Sequence, residues 1–437
     1  MAAALLLCLL LPIAPVNARD WLVQPGEGTL QAAINAASDG DTLRLTAGTY
    51  TGSIDVNRSL VLMGSRDGTS LVDGEGTGHA VLVTAPDVVI SGLEIRHSGE
   101  VAEDENSGVF ITDRGDRTLL ENNHLEGNLI GVYLKGPQDA VVRNNRIIGS
   151  QFHRMNDRGN GIYLWNTPGS EIRDNVIRYG RDGIFVNGSR DNLFSGNHMS
   201  DLRFAIHYMY AHDSEVSHNI SLNNHVGFAI MFSDRIVAEN NYSSNDRERG
   251  LFFNAANYSK IAGNRVVGAE KCVFIYNANF NQISGNSFEQ CQIGIHFTAG
   301  SEQNDIYANA FIDNRTQVKY VGTRYIEWSK GGQGNYWSDN AAFDIDNDGI
   351  ADQIYKPNDM VDQIVWRHPL AKLLLNSPSM QLLRWVQSEF PALHPGGVTD
   401  SKPLMTPAKP RLDPGNGKDP GKLNLAGLGA LKEGIKQ

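Results

Sequence analysis

The chain has 437 residues, with 38 basic and 49 acidic side chains and a formal net charge of −11. That balance, with no long basic run before the C-terminal tail, excludes nucleic acid as the main partner, because phosphate binding needs a positive footprint. A hydrophobic content of 41% is ordinary for a soluble protein with a core.

Residues 1–18 read as a signal peptide. Residues 2–18 carry no charge, Ala3–Leu11 is an apolar run, and Val16-Asn17-Ala18 offers a small-residue cleavage site. Export is therefore expected, with Cys8 removed. Gly28-Thr29 then precedes Leu30–Ala37, a short amphipathic helix for which Thr29 is the N-cap candidate. Such a helix would cover the open first edge of a solenoid.

A solenoid is what the middle of the chain predicts. Asparagine recurs at 123, 145, 175, 197, 219, 241, 264, 286 and 309, in steps of 22 or 23 residues with one of 30. A small residue opens a β-rich run after each of the first eight: Gly131, Gly161, Gly183, Ala205, Gly227, Gly250, Cys272 and Gly294. A repeat of this length with insertions confined to one arc is a coil of stacked strands. Parallel strands so connected are right-handed. We therefore expect an all-β, right-handed, single-stranded parallel β-helix over 19–330. The first and third residues after each marker point inward and the second and fourth outward. The repeating asparagines fit turns, as residues that adopt left-handed dihedrals and stack into amide ladders. Cys272 and Cys291 fall on adjacent coils three positions apart laterally, a poor fit to a disulfide. Residues 331–394 form an acidic and aromatic segment followed by a helical one, Leu370–Phe390. Residues 395–437, rich in Pro, Gly and Lys, read as a flexible tail.

The outward positions carry the chemistry. Position two runs Tyr133, Tyr163, Phe185, His207, Ala229, Phe252, Phe274 and His296, an aromatic stripe that needs covering. Position four includes Met209 and Met231, in one column on adjacent coils and next to His207. The insertion two coils earlier brings His153 and Met155. Residues 153–231 hold six of the twelve His and four of the nine Met. Thioether with imidazole is a soft donor set suited to Cu(I). The alternative is that the methionines only pack beneath the inserted loop. Asp344, Asp346, Asp348 and Asp352, with Gly349, match the first half of a calcium loop, but position twelve is Tyr355 where a bidentate Glu is required. The outward strand positions hold no carboxylate pair of the kind a glycosidase needs, so no catalytic residues are assigned. Asp182, Asp201 and Asp234 read as solvated turn or strand-edge groups. The second functional reading is a carbohydrate-binding or carbohydrate-cleaving β-helix, with the aromatic stripe stacking sugars.

Two segments sharpen the choice. One is Gly334-Asn335-Tyr336-Trp337-Ser338-Asp339. The other runs from Leu370 to Pro378, then Leu383-Arg384-Trp385, Phe390-Pro391, Pro395 to Val398 and Pro403-Leu404-Met405. With the coils, they make the chain similar to the periplasmic nitrous oxide reductase maturation proteins of the NosD family, over nearly its whole length. The resemblance implies a non-enzymatic periplasmic protein on an ABC transporter with membrane and ATPase subunits. It implies copper delivery to nitrous oxide reductase, with a copper-donating lipoprotein upstream. It assigns no copper ligands. The helical segment, with Leu383, Trp385 and Phe390, would be a docking arm toward the membrane partner, or a cap on the solenoid end.

Overall fold

In the computed structural model, residues 18–322, 324–357, 361, 364–365, 368–374, 377–390 and 397–407 are described. The putting-together of the coil is simple: three short strands per turn, each hydrogen-bonded to its equivalents above and below. Leu193–Ser195, His198–Ser200 and Phe204–Met209 make one such coil. Stacking gives parallel sheets of 13, 12 and 13 strands wound as a right-handed solenoid. The signal-peptide reading falls on residues 1–17, outside the described residues, apart from Ala18.

The inward positions behave as the period-two pattern requires. Ile162, Ile184, Ile206, Phe228, Leu251, Val273 and Ile295 stack in one column, each at most 2% exposed. Full burial contributes about 2 kcal/mol of transfer free energy for each such side chain. The marker residues are small because the next coil's backbone passes close by. A Cβ on Gly131 would lie 2.5 Å from the Gly161 carbonyl oxygen, and one on Gly227 would lie 2.4 Å from that of Gly250.

The repeating asparagines are buried inside the corner between the first and third sheets, and they are not the left-handed residues. The residue before each one is: Asn122, Asn144, Asp174, His218, Asn240 and Ala308 have φ of 54–57°, and Gly196, Gly263 and Gly285 take the same role. This frees the asparagine side chain for the ladder. The Asn197 backbone N–H and Nδ2 both donate to Asn219 Oδ1, each at 3.0 Å, while Nδ2 also donates to the Ile172 carbonyl at 2.8 Å. The pattern runs without a break from Asn123 to Asn335. Asn335, in the Gly-Asn-Tyr-Trp motif, is thus the last rung, and the coils continue to Tyr336–Trp337, past residue 330.

Asp400 closes the ladder. Its buried Oδ2 accepts the Asn335 N–H at 2.7 Å and the Trp337 indole N–H at 2.8 Å. Residues 397–407 are therefore no flexible tail. Gly397–Thr399 pairs with Tyr325–Glu327, and the strap covers the end of the solenoid. Trp328 and Trp337 are buried there. Backbone partners, unlike composition, were invisible in the sequence.

Other expectations need correction. The N-terminal helix is Thr29–Ala36, with left-handed Gly28 as its N-cap. Thr29 does not cap it, because its hydroxyl donates to the carbonyls of Gln24 and Gly26. The helix does cover the first coil through Leu30 and Ile34, which are buried. Cys272 and Cys291 are joined by a disulfide, with Cα atoms 5.7 Å apart. Left-handed Gln290 turns the chain, so that Cys291 lies folded in at the corner. The lateral offset assumed for an extended strand disappears. The helical segment Leu370–Phe390 is two pieces, a 3₁₀ turn Pro369–Leu374 and an α-helix Pro378–Glu389. Ser377 accepts the Met380 N–H as N-cap and Pro378 fits the first turn.

A second, shorter inner ladder ends on a carboxyl. The fully buried Asp246 accepts Ser221 Oγ at 2.6 Å, Ser243 Oγ at 2.7 Å and the Asn224 N–H at 2.9 Å. Burial pushes its pKa up to about 6, against those hydrogen bonds. Between pH 4 and 6 the folded chain therefore holds a proton that the unfolded chain has released, so stability falls as pH rises through that window. The shift corresponds to about 3 kcal/mol. Asp246→Asn, matching Asn224 one coil earlier, is expected to be more stable than the parent at pH 7.5. The advantage should shrink as pH falls from 6 to 4 in urea melts. A variant less stable at pH 7.5 would show that the charged acceptor is preferred.

Candidate metal centre

The second sheet presents the outward columns. Met209 and Met231 are direct register partners, as are His207 and Ala229. Neighbouring strands lie about 4.8 Å apart, so Met209 and Met231 leave adjacent coils at the same lateral position, two residues along the strand from His207 and on its face. Met209, Met231 and His207 are all half-buried. The structure thus brings these three together.

Asp182, read from sequence as a solvated strand-edge group, is instead completely buried beside them. Arg203 grips it with two bonds, Nε to Oδ1 at 2.8 Å and Nη2 to Oδ2 at 2.6 Å. His207 Nδ1 lies 3.1 Å from Oδ2. Burial pushes the carboxyl pKa up, but the hydrogen bonds from His207 and Arg203 outweigh it, and the net shift is downward. Asp182 is therefore a carboxylate at neutral pH. The His207 ring is flanked by Phe185, with centroids 4.9 Å apart, and Phe204, at 4.6 Å. The pairing was missed because Asp182 precedes the marker glycine and Arg203 sits on the next coil. Only the 21-residue offset between them carried a signal.

His153 and Met155 are not brought to this site by any described contact. Their loop bonds to itself: His153 Nδ1 is 3.3 Å from Ser150 Oγ, and Arg158 Nε donates to the His153 carbonyl at 2.8 Å. Reaching His207 would require the loop to bend over two coils, about 10 Å.

The aromatic stripe largely covers itself. His79, Phe110, Tyr133, Tyr163, Phe185 and His207 form one unbroken pile, with centroids 4.1–5.1 Å apart. Ala229 interrupts it, and Phe252, Phe274 and His296 form a second. Arg249 lies over both Phe252 and Phe274. The insertion around Glu100–Glu105, an acidic loop, adds a lid, with Glu105 bonded to the Tyr133 hydroxyl and Lys135. His296 is pushed down to about 4 by burial, then by Lys319, Lys271 and Arg249. Its cationic surroundings disfavour a metal ion there.

Asp344, Asp346 and Asp348 converge, each offering an oxygen within 4.8 Å of the others, and can hold a metal ion. Asp352 is outside this group; its Oδ2 accepts the Ile345 N–H at 2.8 Å. Asp359 and Asp362, acidic residues nearby in sequence that could complete such a shell, lie outside the described residues. On the arm, Trp385 and Phe390 are each 59% exposed, as is Leu382 at 58%, while Leu383 is half-buried.

Comparison with known proteins gives a consistent family. A family model described as "Periplasmic copper-binding protein (NosD)" matches residues 143–342. A Pseudomonas aeruginosa protein named "Probable ABC transporter binding protein NosD" is 40% identical over 419 residues, covering 92% of this chain and 95% of that protein. One of the same name from Stutzerimonas stutzeri is 39% identical over 377 residues, covering 83% and 86%. Among solved structures, a PL6 alginate lyase in complex with a trisaccharide aligns with a TM-score of 0.50 and 14% identity, covering 74% of this chain and 93% of that one. At that identity the likeness concerns the β-helix fold alone. With two relatives near 40% identity along most of its length and the coil pattern intact, the chain belongs to the NosD family.

Proposed function

We propose that this chain is a periplasmic copper carrier that works with an ABC transporter. It would take Cu(I) from a copper-donating lipoprotein and, with the transporter's membrane and ATPase subunits, serve assembly of the copper centres of nitrous oxide reductase. The observation that carries the reading is the juxtaposition of the register-paired Met209 and Met231 with His207. Thioether and imidazole favour the soft cuprous ion, and few such ligands allow release as well as binding. The family model's description as periplasmic and copper-binding supports the compartment and the cargo, and the relatives' names support the transporter. No helix among the described residues is long and apolar enough to cross a membrane. The role is non-enzymatic. The self-covered aromatic stripe counts against sugar stacking as the main activity. His153 and Met155 enter the reading only as ligands added by loop closure.

The site is tested by titrating the purified mature protein with Cu(I) against a competing chelator. The parent should take up one ion, and the triple variant His207→Ala, Met209→Ala, Met231→Ala should lose at least ten-fold in affinity while remaining folded. Equal affinities would sink the assignment.

Two further parts belong to this reading. The oxygen-only set Asp344, Asp346 and Asp348 suits calcium. Adding calcium after chelation should raise the melting temperature of the parent but not of Asp346→Ala, since a ligand that binds only the folded state stabilises it. No difference between them would remove calcium from the proposal. The arm's exposed apolar side chains, Trp385 and Phe390 above all, would dock on the transporter's membrane subunit. Trp385→Ala with Phe390→Ala should abolish co-purification with that subunit and leave Cu(I) affinity unchanged. Retained co-purification would place docking elsewhere.

A further inference from the structure

We infer that Asp182, gripped by Arg203, is the positioning residue of the copper site, fixing the tautomer and aim of His207 so that Nε2 faces the methionine pair. The inference rests on the cuprous reading of that patch. It follows from three observations.

The first is the geometry at the carboxyl group. Asp182 is fully buried, and Arg203 forks onto both of its oxygens, Nε to Oδ1 at 2.8 Å and Nη2 to Oδ2 at 2.6 Å, the bidentate geometry of a guanidinium on a carboxylate. An ionised carboxylate accepts hydrogen bonds and cannot donate one. The proton in the 3.1 Å contact therefore belongs to His207 Nδ1. In the neutral imidazole this leaves Nε2 with its lone pair, and among the described residues no hydrogen bond to Nε2 is formed. Nε2 is the donor atom a metal ion needs.

The second is that the ring is held on every side except that one. Phe185 and Phe204 flank it, and Arg203 lies over Phe204, with its guanidinium carbon 4.7 Å from the ring centroid. Arg203 thus ties the carboxylate and the packing ring together. Rotation of His207 would break its bond to Asp182 and disturb both ring contacts.

The third is the contrast with the other histidines that end aromatic piles. His79 and His296 each have a buried Nδ1 with no hydrogen-bond partner. His207 alone of the three carries an oriented carboxylate. A histidine whose far nitrogen is bonded to a buried carboxylate is the arrangement that orients metal-binding imidazoles and raises their basicity, and removing the partner costs 10- to 100-fold in metal affinity. A histidine that merely packed would gain little from burying an ion pair beside it, since burial of charges roughly offsets their attraction.

The test uses the full chain with ¹⁵N-labelled histidine, free of copper, at pH 7.5. His207→Gln identifies the His207 signals. The parent should show a protonated Nδ1 and a bare Nε2. Asp182→Leu combined with Arg203→Met removes the acceptor together with the guanidinium that forks onto it, a replacement that buried ion pairs often tolerate, while Arg181, 3.7 Å from the carboxylate, is partly exposed and keeps solvent around its charge. In this variant the tautomer preference should be lost and Cu(I) affinity should fall 10- to 100-fold, with the fold confirmed by an unchanged circular dichroism spectrum. Should the double variant misfold, Arg203→Lys keeps a cation on Asp182 and is expected to retain the Nδ1-protonated tautomer and an affinity within a few-fold of the parent's. A parent with the proton on Nε2 overturns the inference. So does a folded double variant that keeps both the tautomer and the parental affinity. Parental affinity in the His207, Met209, Met231 triple variant would instead overturn the cuprous reading itself, and the tautomer measurement is independent of it. The two failures are therefore told apart.

Discussion

The buried amide ladder is the constraint on which the rest of the solenoid depends. Each asparagine offers two N–H groups to the oxygen of the next and one to a backbone carbonyl of the previous strand. Buried polar groups are costly when left unpaired, so a coil shifted by one residue would break three bonds and turn its side chains to the wrong face. Register is thereby fixed coil by coil. Everything on the outer face inherits that register, including the adjacency of Met209 and Met231.

The ends of the ladder show the same logic. At one end Asn123 Oδ1 accepts the Leu93 N–H. At the other, Asp400 supplies the acceptor that a further asparagine would have given, and burial raises its pKa despite the bonds it receives from Asn335 and Trp337. The strap that carries Asp400 also pairs with Tyr355. Tyr355 and Asp400, far apart in sequence, are thus held together beside the last rung.

Charge is handled differently inside and outside the coil wall. Inside, Asp246 meets only hydroxyl and amide donors, and its carboxyl is held well above the ordinary range. On the outer face Asp182 is equally buried but meets a guanidinium and an imidazole, and shifts the other way. The two aspartates share a residue type and a degree of burial, and differ in whether a cation can reach them. Arg203, which supplies that cation, also lies over Phe204, and Arg249 lies over Phe252 in the same way. Such stacking covers part of the ring faces on this side of the solenoid.

What the sequence by itself determined was whatever repeats. A spacing of 22 or 23 residues, a small marker and a period of two were enough for the fold, its hand, the inward columns and the pairing of Met209 with Met231, because a solenoid turns linear spacing directly into lateral position. The segments that resemble the NosD family were legible for the same reason: they are local. What only the tertiary structure decided were events at corners and ends. The left-handed residue before each asparagine, the bend that brings Cys291 to Cys272, the return of Asp400 to the last rung and the burial of Asp182 under Arg203 all join residues across a turn or a coil. Their partners are set by backbone direction in three dimensions, which no periodicity in one dimension encodes.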